Sequence, residues 1–166
     1  MDTISKEQRH YNMSQIRAKN TRPEILVRKY LFSRGLRYRL YNKKLPGLPD
    51  LIFKKYCTVV FINGCFWHQH PNCKYASRPK SNQEFWINKL ENNKKRDKEN
   101  FAKYRELGWN VIVVWECELK PAQRQNTLEQ IYYEIIYSNG PNNFNLNIEK
   151  SIGHLELLVS EDIEDY

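Results

Sequence analysis

Two long apolar runs constrain the fold of this chain more than any other feature. They are Cys57–Ile62 and Trp109–Trp115, and both are rich in β-branched residues. Runs of this kind, without the alternation of a half-exposed strand, predict strands that are buried on both faces. A shorter strand is predicted at Asp50–Phe53, directly after Pro46 and Pro49, which bracket a turn. The chain is therefore expected to fold around a small sheet.

Helix signals flank the predicted strands. Residues Thr21–Glu24 form a capping-box signature, and the helix that it opens is expected to stop at Gly35. The same signature at Ser81–Glu84 predicts a long polar helix that ends near Gly108. Pro121 is predicted to be the first residue of a last helix. The order helix, strands, helix, strand, helix predicts an α/β fold, a single domain with a small mixed central sheet flanked by helices.

The charge of the chain is unevenly distributed. The net charge is +8, but residues 1–138 hold 26 Lys and Arg against 13 Asp and Glu, whereas residues 139–166 hold six acids and one base. So basic a body predicts a polyanionic partner, most commonly nucleic acid, although a basic surface can also serve solubility alone. The acidic end is interpreted as a solvating segment, with mimicry of the polyanion as the alternative.

These features divide the chain into a polar N-terminal arm at residues 1–20, a domain at 21–138 and an irregular acidic extension at 139–166. No stretch has the apolar length of a transmembrane helix, and the N-terminal residues lack the apolar core of a secretion signal. We therefore expect a soluble cytoplasmic protein that makes no contact with a membrane.

Four cysteines in a chain expected to be intracellular favour a metal site over disulfides. Cys57 falls within a predicted strand and is interpreted as a small buried hydrophobe. The other three, with one histidine, form a four-ligand shell suited to structural zinc: Cys65, His70, Cys73 and Cys117. Free cysteines and surface histidines in a loop are the alternative.

Three aromatic residues could act on nucleic acid. Phe66 and Trp67 are neighbours within the predicted metal loop, which could project both rings to stack on bases or wedge between them. Alternatively, both rings cover the loop from within. Trp86, near the start of the long helix, has the same two interpretations, and burial in the helical core is the more usual one.

Carboxylate and imidazole groups are candidates for catalysis. Asp50 opens a strand after a proline-rich turn, where it could bind a hard cation or cap the turn. Glu24 is already used by the capping box. Asp97 lies on the core-facing stripe of the long helix and needs a partner, either in a structural salt bridge or as a residue that orients another side chain. His68 could face Asp50 and accept a proton, or could be exposed and idle.

Three sequence blocks together resemble the very-short-patch repair (Vsr) mismatch endonuclease family. They are Leu45–Asp50 (LPGLPD), Phe61–His70 (FINGCFWHQH) and Trp115–Cys117 (WEC), and the resemblance extends from Asn12-Met13 to the last helix. It implies a PD-(D/E)XK nuclease-like core with a structural zinc ion. It also implies a magnesium-dependent, strand-nicking DNA endonuclease that cleaves 5′ of the thymine in a T:G mismatch, the product of 5-methylcytosine deamination.

The resemblance also implies roles for individual residues. Asp50 and the main-chain carbonyl of Ile62 would hold magnesium, and His68 would activate water. Glu24 and Asp97 would lie near the active site. The zinc ligands would be the four residues already named. A further group would contact DNA around the mismatch: Met13, Phe66, Trp67 and Trp86.

The chain departs from the family pattern at three places. Ile62-Asn63 stands where the best-known members have Thr-His, so Asn63 replaces an imidazole beside the scissile phosphate. The loop between His70 and Cys73 is one residue longer than the short form, and the acidic extension has no counterpart. A usual PD-(D/E)XK site has an E-x-K pair on the strand after the aspartate, but the run Cys57–Ile62 contains neither an acid nor a lysine. The resemblance therefore implies that His68 takes the role of that lysine.

The expected partner is double-stranded DNA with a T:G mismatch, bound by a monomer associated with the nucleoid, with mismatch-repair proteins as further candidate partners. Two alternatives stay open. One is a PD-(D/E)XK restriction or nicking endonuclease without mismatch preference. The other is a catalytically silent, zinc-stabilised module that binds mismatches.

Overall fold

The computed structural model describes residues 5–15 and 19–138 of the chain. Within this part, four helices and three strands form the structure. The elements are α1 (Lys6–Ser14), α2 (Arg22–Ser33), β1 (Leu51–Phe53), β2 (Thr58–Asn63), α3 (Gln83–Glu106), β3 (Asn110–Trp115) and α4 (Arg124–Tyr137). None of the described helices has the length and apolarity needed to cross a membrane. Helix α1 lies within the predicted arm, and the acidic extension lies outside the described residues.

The predicted small mixed sheet is confirmed. Its order is β1-β2-β3, with β1 antiparallel and β3 parallel to the central strand β2. Two parallel neighbours need a crossover connection, and α3 supplies it. Successive residues of β2 point to opposite faces: Val60 packs with α2 and α4, whereas Val59 and Phe61 pack beneath α3. The sheet is therefore covered on both faces, and β2 is buried on both sides as expected.

Strand β3 differs from its prediction. Its burial alternates, with Ile112 and Val114 buried and Val111 and Val113 only half-buried. It is an edge strand of the sheet, so neighbours enclose it less completely than they enclose β2. Trp109, predicted as its first residue, precedes the strand and packs against Tyr104 with ring centroids 6.4 Å apart.

All three predicted helices are present; the start of α2 is confirmed, whereas α3 starts one residue and α4 three residues later than predicted. The Oγ1 atom of Thr21 accepts the Glu24 amide at 3.4 Å, which completes the capping box of α2. The box at Ser81 does not form, because Asn82 adopts a left-handed backbone (φ 49°) and α3 begins only after it. Pro121 lies in a turn that is closed by the carbonyl of Lys120, so α4 begins at Arg124.

Cys57 is buried, with 6% of its surface exposed, in agreement with its interpretation as a small hydrophobe. Its predicted place inside a strand is wrong by one residue. The residue adopts a left-handed conformation (φ 43°) that ends the short 3-10 turn Lys54–Tyr56 and directs the chain into β2.

Candidate active site and metal centre

The candidate active site lies where the end of β2 passes the start of β1. The amide of Asp50 donates to the carbonyl of Val60 at 3.0 Å, and the Asp50 carboxylate accepts the amide of Ile62 at 2.7 Å. Asp50 is thus fixed at both its backbone and its side chain. The N–H and C=O groups of one extended residue point to the same side of a strand, so the carbonyl of Ile62 also faces this edge.

The surroundings of Asp50 disfavour its ionised form. Burial, with a further contribution from the negative charge of Glu24, raises the pKa of Asp50 to about 6. The amide of Ile62 and the charges of Arg28 and His68 act in the opposite direction. Glu24 and His68 are therefore close enough to act electrostatically on Asp50, and a cation beside Asp50 would relieve the cost of its charge.

Glu24 belongs to a buried polar cluster and does more than cap a helix. Its carboxylate accepts the amide of Asn20 at 3.0 Å, the guanidinium of Arg28 at 2.5 Å and the hydroxyl of Tyr41. Glu24 and Arg28 are only 4% and 7% exposed. The sequence reasoning overlooked Arg28, although its i,i+4 spacing from Glu24 is a readable signal. Tyr41 gave no such signal, because it reaches the cluster from another segment.

His68 and Asp97 form a second pair. The Nδ1 atom of His68 lies 2.5 Å from a carboxylate oxygen of Asp97, and the two side chains are 25% and 17% exposed. This contact supplies the partner that the position of Asp97 on α3 requires. With Nδ1 bound to a carboxylate, the proton is held on Nδ1 and the Nε2 atom is the basic nitrogen.

Asn63 and Met13 complete the positions singled out from the sequence. Asn63 is buried at the end of β2, opposite Trp115 of β3. Alternation along the strand puts it on the same face as Phe61, the face that α3 covers. Met13 lies in α1, and its side chain is outside the described part of the structure.

The structure brings together the four predicted metal ligands. The ligand atoms of Cys65, His70, Cys73 and Cys117 all lie within 4.8 Å of one another. The Nδ1 atom of His70 is 3.3 Å from the sulfur of Cys117 and 3.7 Å from that of Cys65. Tetrahedral zinc with normal bond lengths would separate such atoms by about 3.6 Å. Stacking of the His70 ring on Trp115, with centroids 4.1 Å apart, fixes the imidazole.

The chemistry of this donor set fits a metal ion. Burial raises the pKa of the Cys65 thiol to about 12, and burial also raises the pKa of Cys117. Such thiols stay protonated unless a cation stabilises the thiolate. The closeness of the four ligand atoms lets the cluster hold a metal ion. Such an ion would tie together the loop at residues 64–82, here called the metal loop, and the segment after β3.

The aromatic residues form one surface cluster. The centroid of Phe66 lies 5.0 Å from that of Trp67 and 5.4 Å from that of Trp86, and the two tryptophans are 6.0 Å apart. All three rings are half-buried. They are neither inside the metal loop nor fully projected from it; they pack on one another at the junction of the loop with α3. We call these three residues the aromatic cluster.

Two residues of α3 that the sequence reasoning overlooked support this cluster. The amide of the Asn93 side chain donates to the carbonyl of Trp67 at 3.0 Å. The ammonium group of Lys89 lies 5.7 Å from the ring of Trp67 and 5.9 Å from that of Trp86. Trp86, Lys89 and Asn93 are three and four residues apart, a spacing that places them on one helical face.

A basic α/β domain that holds a carboxylate within electrostatic reach of a carboxylate-bound histidine has groups that a metal-dependent nuclease can use to hydrolyse phosphodiesters. Sequence comparison agrees and is more specific. The family model of the DNA mismatch endonuclease Vsr matches residues 1–74. Relatives that are 37–48% identical over more than two thirds of both chains match as well, so this chain belongs to the Vsr DNA mismatch endonuclease family and is a DNA endonuclease.

Three relatives illustrate the similarity. The Type II nicking enzyme V.NmeAIP of Neisseria meningitidis is 48% identical over 119 residues, 72% of this chain and 84% of the relative. The Type II nicking enzyme V.XorIIP of Xanthomonas oryzae is 48% identical over 118 residues, 71% and 86% of the two chains. The DNA mismatch endonuclease Vsr of Escherichia coli is 37% identical over 123 residues, 74% and 78% of the two chains.

Proposed function

We propose that this endonuclease depends on magnesium and nicks one DNA strand 5′ of the thymine in a T:G mismatch. The observation that carries the proposal is that an anchored carboxylate and a carboxylate-bound histidine lie within electrostatic reach of each other. Asp50 is anchored by the amide of Ile62, and His68 is held by Asp97 yet lies near enough to lower the pKa of Asp50. The names of the relatives, mismatch endonuclease and nicking enzymes, agree with this activity.

Asp50 and the Ile62 carbonyl are the proposed magnesium ligands. Both are oxygen donors on one side of the site, as magnesium prefers, and a bound cation would offset the burial that raises the pKa of Asp50. When bound, magnesium would polarise the scissile phosphate and stabilise the leaving oxygen. Glu24 adds negative charge to the site, and the buried ion pair with Arg28 holds it in place.

His68 is the proposed base. Its Nε2 atom can take a proton from the attacking water, because Asp97 holds the other ring nitrogen in its protonated form. Asp97 is then a positioning residue that acts through His68. In a PD-(D/E)XK-like core, Pro49-Asp50 would supply the first acid, and His68 would replace the lysine that β2 lacks. Asn63, on the α3 face of the sheet, would lie beside the scissile phosphate.

Asp97→Asn should slow nicking by about 100-fold, because a correctly held general base contributes about 10²–10⁴ to a rate. The amide retains the shape of the carboxylate but cannot stabilise the imidazolium. Single-turnover nicking and duplex binding should be measured together, with Glu99→Gln, an exposed carboxylate on the same helix, as the control. Wild-type nicking by Asp97→Asn, or an equal loss of DNA binding, would contradict the assignment.

Magnesium dependence should change with pH in a defined direction. The pKa of Asp50 is raised by burial to about 6, so below that pH a cation must displace a proton from the folded enzyme. The apparent magnesium affinity should then fall by about tenfold for each pH unit below 6, and be constant above it. The midpoint of a magnesium titration of nicking measures this affinity separately from the maximal rate. A constant midpoint down to pH 5 would argue against Asp50 as the ligand.

Mismatch selectivity is proposed to come from the aromatic cluster, with Met13 approaching from the minor groove. A wobble pair stacks weakly, so rings that wedge beside it cost less free energy than rings that open an intact duplex. The three half-buried rings are already packed together, which lowers the entropy lost when they insert. The Cys65–His70–Cys73–Cys117 centre, proposed to hold structural zinc, would keep the metal loop rigid for this task.

Nicking of matched and T:G duplexes of one sequence, side by side with magnesium, tests the proposal. We expect a single nick 5′ of the mismatched thymine and little cleavage of the matched duplex. Equal nicking of both duplexes would instead identify a nicking enzyme without mismatch preference. Binding without cleavage would identify a silent mismatch-binding module, and the presence of both Asp50 and His68 argues against that outcome.

A further inference from the structure

A basic hollow lies beside the metal centre, between the metal loop and α3. It has a volume of about 610 Å³. Its lining includes the metal ligands His70 and Cys73 and, from the two walls, Gln69, Lys74, Arg78 and Lys94. Among the described residues, no acidic side chain lines it. A concave surface lined by cations concentrates anions.

A second hollow continues the first toward the aromatic cluster. It has a volume of about 240 Å³, and Arg78, Lys80 and Trp86 contribute to its lining, again without an acidic side chain among the described residues. Arg78 lines both hollows. A basic path therefore leads from the metal loop to Trp86, one of the rings proposed to meet the mismatch.

The cations of this path are held in place but remain accessible. The guanidinium of Arg78 donates to the Gln69 side chain at 3.4 Å and to Glu91 at 3.2 Å, and the Arg78 side chain is still 54% exposed. Lys94 shares Glu91 at 3.4 Å and is 47% exposed. Gln69 is itself anchored, because it donates to the carbonyl of Phe66 at 2.7 Å. An arginine has five N–H donors, so Arg78 keeps several for a ligand.

The charge balance also favours an anion. Three thiolates would give a bound divalent ion a formal charge of −1, and Glu91 adds another negative charge. Lys74, Arg78 and Lys94 exceed these two charges, so the hollow stays positive. Arginine in a fixed orientation matches the geometry of a phosphate group.

We propose that this hollow binds a backbone phosphate of the DNA duplex through Arg78 and Lys94, and so aligns the duplex on the aromatic cluster. The alignment rests on the function proposed for that cluster. The phosphate contact itself requires only that the protein binds DNA. Such contacts position a protein on the duplex and carry no sequence information, so they should serve matched and mismatched DNA equally.

Arg78→Gln and Lys94→Gln, each in the full, metal-loaded chain, test the proposal. The probe is one fluorescent duplex in matched and T:G versions, titrated at several salt concentrations with magnesium omitted. Each lost phosphate contact should reduce the slope of log affinity against log salt by about 0.9, which corresponds to about fivefold weaker binding at about 0.15 M salt. The loss should be equal on both duplexes.

Lys55→Gln is the matched control. Lys55 is exposed in the turn before β2, at the opposite end of that strand from the metal loop, and six strand residues span about 20 Å. Its removal should leave the salt slope unchanged. An unchanged slope in both test variants would overturn the proposal, and so would a loss confined to the T:G duplex. If the wild-type protein bound both duplexes equally well, the proposed mismatch specificity would be contradicted. The matched duplex would still test whether Arg78 and Lys94 contact a phosphate.

Discussion

Asp50→Asn should abolish nicking, with a loss of about a thousandfold or more, while binding to a T:G duplex is retained. The amide oxygen can still accept the Ile62 amide, which Asp50 now accepts at 2.7 Å, so the local backbone is preserved. What disappears is the negative charge that a magnesium ion needs. Single-turnover nicking, with duplex binding measured in parallel, separates these effects.

The same substitution should stabilise the metal-free protein. Burial raises the pKa of Asp50 to about 6 from an ordinary value of 3.8. Between these values the folded state binds more protons than the unfolded state, so the ionised carboxylate lowers the free energy of unfolding as the pH rises. Near pH 7 the ionised carboxylate lowers the free energy of unfolding by about 3 kcal/mol. The neutral side chain of Asn removes this destabilisation. The difference in the free energy of unfolding between Asp50→Asn and the wild-type protein should shrink toward pH 4, where the carboxylate is protonated in the folded state.

Thermal melting of both proteins with and without magnesium completes this test. Magnesium should raise the melting temperature of the wild-type protein and leave that of Asp50→Asn unchanged, because a ligand stabilises only the state that binds it. Glu106→Gln, an exposed carboxylate at the end of α3, serves as the charge-matched control. Undiminished nicking by Asp50→Asn would refute the assignment of the active site.

The sequence was sufficient to predict those parts of the fold that depend on local pattern. The apolar run of β2 predicted a strand buried on both faces, and the capping box at Thr21 predicted the start of α2. Predictions were wrong where the local structure depends on features that the local sequence pattern does not contain. The alternating burial of β3 follows from its position at the edge of the sheet, and the left-handed Asn82 cancels an otherwise good capping signal.

The candidate site shows the same division. Spacing and residue type predicted that Cys65, His70, Cys73 and Cys117 form one cluster, because three of them are near in sequence and the fourth follows a predicted strand. The need of Asp97 for a partner was also predictable, but the identity of that partner as His68 was not. Contacts between distant segments depend on how the metal loop packs on α3, which no local pattern encodes.

Cys117→Ser should remove the metal and destabilise the fold by at least about 3 kcal/mol, since metal binding contributes directly to folding free energy in sites of this kind. Cys117 is the ligand that joins the short segment after β3 to the metal loop, through His70 at 3.3 Å. Without it, the loop that carries Phe66 and Trp67 loses its metal-mediated link to the segment after β3. Nicking should fall with the metal content, although Asp50 and His68 are intact.

Cys57→Ser provides the control for the same chemical change. Cys57 is buried but lies outside the cluster, and its sulfur contacts the carbonyl of Lys54 at 3.8 Å, a carbonyl that a serine hydroxyl could also reach. This variant should keep its metal and lose only about 1 kcal/mol. Elemental analysis measures the zinc content of both variants, and denaturant unfolding measures their stability. Wild-type protein purified without zinc or another thiophilic metal, or equal destabilisation of the two variants with metal retained, would show that the cysteines stabilise the fold by packing alone.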